Sequence, residues 1–254
     1  MLPPLSLVAL IENKQYGVEY QPIIDLSTQE IYAYECLARF YCQNESIPPD
    51  IVFKSLHKCP LSLFQVEYEL KKLQLLHAPD NKKLFLNLDQ DSFYACGVEG
   101  ENNPFLELFN ASSKKDIVIE LIENSELNDA RMSLAMIDLL SKSKIQTAID
   151  DVFNPQSLIS TAVIHLVDFI KLDRHILIKK HDQKFFYLVK SIVDYAHCTG
   201  KKIVLEGIEK SGDLLFAKQL NVDYVQGYWY RDSFIKKMYT GRYDKAAVRL
   251  INSS

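Results

Sequence analysis

From Tyr16 onward, short apolar runs recur along the chain with polar, helix-patterned segments between them. Tyr16 to Leu26 and Ile31 to Phe40 are rich in Tyr, Ile and Val and are separated by the polar Ser27-Thr28-Gln29-Glu30, the pattern of a β-hairpin. Six more apolar runs follow, at Leu84 to Leu88, Ile117 to Ile122, Ile145 to Asp150, Phe169 to Leu172, Ile203 to Glu206 and Tyr224 to Gln226. Between them, Asp129 to Ser141, Lys184 to Thr199 and Ser211 to Leu220 carry apolar residues at three- and four-residue spacing, which predicts amphipathic helices. Two helical stretches fill Asp50 to His77, with Pro48-Pro49 as the breaker before them and Pro60 between them. Leu5 to Lys14, with Pro3 and Pro4 at its start, reads as an N-terminal helix.

Two hairpin strands and six later ones make eight. Strand and helix alternating about eight times over roughly 250 residues points to an α/β fold, a (β/α)8 TIM-like barrel, with a doubly wound open sheet as the competitor. An antiparallel hairpin at the start is an irregularity in such a barrel. Gly97 to Asn103 reads as a loop insertion. Beyond Tyr230 the chain becomes more polar, and Tyr243 to Asn252 is expected to form a closing helix. One domain over residues 1–254 is expected, with a core of about 16–230, an N-terminal helix at 5–14 and an extension at 231–254.

Composition narrows the function classes. The 254 residues are 48% hydrophobic and 24% charged, an ordinary globular balance. No apolar run reaches the roughly 18 to 20 residues that span a bilayer, and residues 2–11 lack the basic start and small-residue cleavage site of a secretory signal, so a cytoplasmic protein without membrane insertion is expected. Five cysteines without Cys-x-x-Cys spacing argue against a disulfide framework. A formal charge of -4 with scattered lysine doublets gives no basic stripe for duplex nucleic acid. A phosphate-bearing ligand therefore needs local help, such as metal ions.

In a (β/α) barrel the chemistry sits at the C-terminal ends of the strands. There the chain carries Glu35, Asn87, Glu120, Asp150 and Asp151, Lys171 and Asp173, Glu206, and Gln226. Any one of these could cap a helix or close a turn. One on each of seven strands is a pattern. Parity agrees: Glu120 shares the parity of Val118, Glu206 that of Val204 and Asn87 that of Phe85, so each can face the barrel axis above an apolar residue. Converging buried carboxylates need counter-charge, from Lys171 or from metal ions. Carboxylates and amide oxygens without histidine or thiolate are hard ligands, suited to magnesium, manganese or calcium, and the set fits two-metal hydrolysis of a phosphodiester. Asp150 and Asp151 are adjacent, and on a regular strand they would face opposite ways, so both can serve one site only if the chain turns between them.

The ordered set Tyr20-Gln21-Pro22, Glu35-Cys36-Leu37-Ala38-Arg39, Phe85-Leu86-Asn87-Leu88, Glu120-Leu121-Ile122-Glu123, Asp150-Asp151, Lys171-Leu172-Asp173, Glu206-Gly207-Ile208-Glu209 and Gln226-Gly227-Tyr228 resembles the EAL-domain cyclic di-GMP phosphodiesterases of bacteria. That resemblance implies a barrel whose first strand is antiparallel, and hydrolysis of cyclic di-GMP to the linear dinucleotide with two magnesium or manganese ions, calcium permitting binding without turnover. It implies metal ligation by Glu35, Asn87, Glu120, Asp150, Asp151 and Gln226, and water activation by Lys171 and Glu206 together with Glu35. It further implies substrate contacts from Gln21, Leu37, Arg39 and Asp173, supporting roles for Glu123 and Glu209, and a homodimer or a regulatory protein partner. A catalytically impaired sensor or protein-interaction module is the alternative. Its motive is the stretch Val152-Phe153-Asn154-Pro155-Gln156-Ser157, which lacks the two glycines that follow the aspartate pair in active members. Glycine supplies positive φ at no steric cost, so a departure from the usual loop path is expected there, and with it a test of whether Asp151 reaches the metals.

Overall fold

In the computed structural model, which describes residues 2–42, 45–98, 100–112, 115–121, 127–158 and 160–238, the apolar runs form strands that close on one another. Strands β1 (Tyr16–Asp25), β2 (Ile31–Cys42), β4 (Lys83–Asn87), β5 (Ile117–Leu121), β6 (Gln146–Val152), β7 (Phe169–Leu172), β8 (Lys202–Leu205) and β9 (Tyr224–Val225) form the ring. Its order is β1-β9-β8-β7-β6-β5-β4-β2, and pairing of β1 with β2 closes it. All neighbours run parallel except β1, which is antiparallel to both β2 and β9. The fold is therefore a closed (β/α)8 barrel with an inverted first strand; the open-sheet competitor is excluded by the β1–β2 seam.

Alternation along the strands divides the apolar residues into two cores. Ile23, Ala33, Phe85, Val118, Ala148, Phe169, Val204 and Tyr224 fill the barrel axis. The residues between them, such as Leu84, Leu86, Ile119, Ile149, Ile170 and Leu205, pack outward beneath the helices. The interior core plugs the lower barrel: Phe85 meets Phe169 edge to face with centroids 5.0 Å apart, and Tyr32 stacks on Tyr224 at 4.0 Å. The expected parity holds, since Phe85, Val118 and Val204 lie on the axis below Asn87, Glu120 and Glu206.

The helices are α1 (Pro4–Glu12), α2 (Pro49–Leu56), α3 (Pro60–Leu76), α4 (Gln90–Ala95), α5 (Pro104–Ala111), α6 (Leu127–Lys142), α7 (Thr161–Leu166), α8 (His175–Ile178), α9 (Gln183–Cys198) and α10 (Ser211–Leu220). Proline opens α1, α2, α3 and α5, where the missing N–H costs nothing. Asp89, Asn103 and Asp182 cap α4, α5 and α9 with side-chain oxygens. Between β4 and β5, the stretch read as a loop insertion holds a short turn at Gly100–Asn102, flanked by α4 and α5. Two short strands were not expected. β3 (Glu45–Ile47) pairs with the end of β2, and β10 (Ile235–Met238), inside the segment read as a polar extension, pairs antiparallel with the start of β1. β10 comes so close that a Cβ on Gly17 would sit 2.8 Å from the Lys237 carbonyl oxygen. The expected closing helix at residues 243–252, and Glu123, lie outside the described residues. Among the described residues no helix is long and apolar enough to cross a membrane.

Candidate active site

The strand ends deliver their polar groups to one mouth. Lys171, on β7, is fully buried, and its Nζ lies 2.7 Å from Glu120 Oε1, 2.7 Å from Glu206 Oε1, 3.1 Å from Asp150 Oδ1 and 3.6 Å from Glu35 Oε1. Asn87 Nδ2 donates to Glu35 Oε1 at 3.0 Å and Gln226 Nε2 donates to Glu35 Oε2 at 2.5 Å. Gln226 Oε1 is buried with no hydrogen-bond donor in reach among the described residues. Glu206 lies one residue beyond β8, its N–H donating to the Leu172 carbonyl at 3.0 Å, so the ladder still fixes where it points.

The adjacent aspartates share this site because β6 bulges. Ile149 pairs with Ile170 and Val152 with Leu172, so two residues of β6 stand opposite one of β7. Ile149 and Val152, three apart, both pack in the outer core, which leaves Asp150 and Asp151 together on the mouth side. Asp151 takes φ 56°, a left-handed value that aspartate tolerates better than most residues. Phe153 follows at φ 74° without glycine's freedom; that strain, about 1–2 kcal/mol, is offset by burying its ring edge-on to Phe185 at 5.6 Å. The Asn154 N–H donates to the Asp151 carbonyl at 2.9 Å and closes the turn. The glycines are absent, yet the aspartate pair stays in the mouth.

Two sets of carboxylate oxygens result, each within 4.8 Å of one another: Glu35 with Glu120 and Asp150, and Asp150 with Asp151 and Glu206. Asp150 belongs to both. Burial pushes the Glu120 carboxyl well up, with Glu35 and Asp150 adding to the push and Lys171 opposing it. Burial likewise raises Asp150 against the pull of Lys171. Glu206 is pushed up to about 8, by burial first and then by Asp150 and Glu35, against Lys171. Asp151 is pushed up to about 6 by burial, Asp150 and Asp173. Glu35 goes the other way: Lys171 and the Gln226 and Asn87 amides outweigh its burial. Burial would lower Lys171, but the surrounding carboxylates hold it well above the ordinary lysine value. Four carboxyl groups lie on one ammonium and Asp151 stands beside them, more acids than a single cation can neutralise, and Gln226 Oε1 adds an unclaimed hard donor. That chemistry fits divalent cations with oxygen ligands.

A second group stands above the first. On the β1–β2 ribbon Gln21 pairs with Glu35 and Glu19 with Leu37, so successive mouth-facing positions of β1 rise past the metal-ligand level. Buried Glu19 accepts from Gln21 Nε2 at 2.8 Å and from Arg39 at 2.7 Å, and Lys236 on β10 reaches its other oxygen at 2.8 Å. Burial would raise this carboxyl, but the bonds from Arg39, Lys236 and Gln21 outweigh it and hold it below the usual range. Of the residues expected to meet substrate, Gln21 and Arg39 lie in this group and Leu37 is half-buried beside it. Asp173 neighbours Asp151 and accepts the His175 N–H at 2.7 Å. Glu209 is exposed, and its N–H donates to Asp213 Oδ2 at 3.2 Å at the start of α10. Glu19 and Lys236 escaped the sequence reading. Glu19 shares the parity of Gln21 and Ile23, so alternation alone could have found it; Lys236 depends on β10.

Known proteins place the chain in context. It is 27% identical over 242 residues to the cyclic di-GMP phosphodiesterase PdeL of Escherichia coli, covering 91% of this chain and 66% of that protein. It is 24% identical over 259 residues to the probable cyclic di-GMP phosphodiesterase PdeN of the same organism, covering 94% of this chain and 49% of that one. The chain thus spans about half to two thirds of these relatives' lengths. Among solved structures it superposes on the Bacillus subtilis YkuI protein, in complex with substrate c-di-GMP and calcium, with a TM-score of 0.76 and 22% identity over 99% of this chain and 63% of that one. It also superposes on the FimX EAL domain of Pseudomonas aeruginosa, bound to c-di-GMP, with a TM-score of 0.70 and 20% identity over 89% of this chain and 93% of that one. The family model described as EAL domain matches residues 6–232, and the chain belongs to that family.

Proposed function

We propose that this chain hydrolyses cyclic di-GMP to the linear dinucleotide pGpG, in the cytoplasm, with two magnesium or manganese ions. The carrying observation is the convergence of Glu35, Glu120, Asp150 and Glu206 on Lys171, with the β6 bulge adding Asp151. The named activity of the relatives, and the nucleotide and calcium bound to YkuI, support the same reading.

Glu35, Asn87, Glu120, Asp150, Asp151 and Gln226 would hold the ions, which when bound would supply neutralisation of the phosphate, activation of a water and stabilisation of the leaving oxygen. The water oxygen would form the new bond to phosphorus as its proton passes to Glu206, the P–O3′ bond would break, and a proton taken from solvent would complete the 3′ hydroxyl. Glu206 is the proton acceptor best placed for this water: at 22% exposed it is the most open of the four carboxylates around Lys171, the others being at 17% or less. Lys171 holds Glu206 through Oε1 and keeps the acids from scattering. Arg39 and Gln21 would take the nucleotide, releasing Glu19 to Lys236.

Incubating the purified chain with cyclic di-GMP and Mn2+ or Mg2+ tests the proposal, with chromatography for pGpG. Glu206→Gln is expected to lower turnover by about 10²–10⁴, and Glu35→Ala to abolish it, both with the fold retained by circular dichroism. A well-folded wild-type chain that binds the nucleotide in calcium but forms no pGpG in any metal would favour the sensor reading, whose motive is the glycine-free loop.

A further inference from the structure

Behind the mouth, the buried face of α3 carries three polar residues among Leu63, Val66, Leu70 and Leu73, where a barrel helix is ordinarily apolar throughout. Glu67, Lys71 and Gln74 recur at four- and three-residue spacing and are buried to 2%, 2% and 1% exposure. Burying two charges and an amide is costly unless each meets a partner. Glu67 and Gln74 meet backbone groups beside the metal-ligand positions, and Lys71 meets Glu67. The β2–β4 ladder ends at the pair Glu35–Phe85. One residue further on, the Cys36 carbonyl accepts from Gln74 Nε2 at 2.6 Å. The carbonyl of Gln74 accepts from Tyr20 Oη at 2.9 Å, on the residue before Gln21. Glu67 Oε1 accepts the Asp89 N–H at 3.0 Å, two residues after Asn87, while Lys71 Nζ donates to the same oxygen at 3.2 Å. One helix face thus grips the three chain segments that carry Gln21, Glu35 and Asn87. Within that set the Asn87 amide already orients Glu35.

We propose that Glu67, Lys71 and Gln74 are positioning residues for the metal site: through the Cys36 carbonyl and the Asp89 N–H they fix where Glu35 and Asn87 present their oxygens. The inference rests on the metal-dependent reading above. Outer partners that orient a ligand typically contribute about 10–100-fold to metal affinity. A merely structural polar face would contribute to stability alone.

Mn2+ affinity, read by electron paramagnetic resonance, and the melting temperature in chelator separate these roles. Gln74→Met preserves the side chain's length and removes its donor; it is expected to weaken Mn2+ binding about tenfold. The pair Glu67→Leu with Lys71→Met removes both charges together and is expected to act likewise, so the outcome does not depend on one variant folding. Glu67→Gln, which keeps an acceptor for the Asp89 N–H, is expected to bind Mn2+ within about twofold of wild type, below the range that outer partners contribute. Asn103 is the control, equally buried, with its side chain bonded to the Phe93 carbonyl at 2.8 Å and to the Phe105 N–H at 2.9 Å rather than to the segments that carry Gln21, Glu35 and Asn87. Asn103→Ala is expected to lower the melting temperature without moving Mn2+ affinity. Unchanged affinity in both altered α3 chains, or a loss of affinity in Asn103→Ala matching theirs, overturns the inference. A wild-type chain that binds no Mn2+ overturns the metal reading first and this inference with it.

Discussion

At the floor of the mouth one ammonium, Lys171, faces four carboxylates, whereas on the β1–β2 rim one carboxylate, Glu19, faces two cations and an amide. The two groups invert each other in charge, and they differ in cover as well: Lys171 is fully buried, while the side chain of Lys236 is 67% exposed. The floor has carboxylates to spare and no further cation of its own among the described residues, so it suits incoming metal ions. The rim has cations to spare and suits an anion or a base edge. A cyclic dinucleotide with its metal ions would satisfy both at once, the floor carboxylates holding the ions and the Arg39 guanidinium taking negative charge. Charge alone would thus orient such a ligand before any shape is considered.

The comparison breaks most visibly at Lys171. Lys171→Met leaves the floor's carboxylates without their shared cation, and the metal-free chain should lose about 3–5 kcal/mol of stability at pH 8. Excess Mn2+ should return part of it, since cations then replace the ammonium. Chemical unfolding in chelator and in Mn2+ reads both; equal stability of variant and wild type in chelator would mean the lysine is not the floor's counter-charge.

Acidity offers a subtler lever. In the metal-free chain Glu206 is pushed up to about 8 and Asp151 up to about 6, from ordinary values of 4.5 and 3.8. The folded chain therefore keeps protons that the unfolded chain has already released, and stability from these groups is greatest at low pH and falls as pH rises through about 6 and then about 8. Divalent ions compete with those protons, so their stabilising effect should grow over the same window. Melting temperatures in chelator should fall from pH 5.5 towards pH 8, and the increment added by Mn2+ should rise, by roughly one metal-proton exchange per raised group. A pH-independent Mn2+ increment would show the floor carboxylates to be ionised already.

Rim changes should be smaller and confined to nucleotide binding. Arg39→Ala is expected to raise KM about tenfold, the value of a charge-assisted contact, with Mn2+ affinity unchanged. Lys236→Ala, exposed and screened, should raise it only about two- to threefold, and less at high salt. Steady-state kinetics at two ionic strengths distinguish them; a fall in kcat with KM constant would place Arg39 with the chemistry rather than the rim.

Much of this arrangement could be read from residue order alone. Alternation put Asn87, Glu120 and Glu206 above Phe85, Val118 and Val204 because a barrel strand has only two faces, one of them the axis. What resisted reading was whatever depends on a neighbour rather than a period. Ile235 to Met238 is too short and too rich in lysine to announce a strand, and it becomes one because β1 offers it an edge. Glu67 and Lys71 look like an exposed helical ion pair until packing buries them. Helices α4 and α5 are eight residues or fewer, below the length at which an amphipathic period is legible. The turn that aims Asp151 was foreseen as a requirement, but the left-handed backbone at Phe153 runs against that residue's preference and is decided by its burial against Phe185.

The bulge in β6 also makes that strand sensitive to length in a way that substitution does not test. Replacing Asp151 alters one ligand. Deleting it removes the extra residue, so that Ile149, Asp150 and Val152 would pair one to one with Ile170, Lys171 and Leu172, and Val152 would keep its place in the outer core while the mouth loses its second aspartate and the left-handed turn. The aspartate pair is thus a counted feature as much as a chemical one, and reading β6 as an unbroken alternation assigns Val152, and each position after it, to the opposite face.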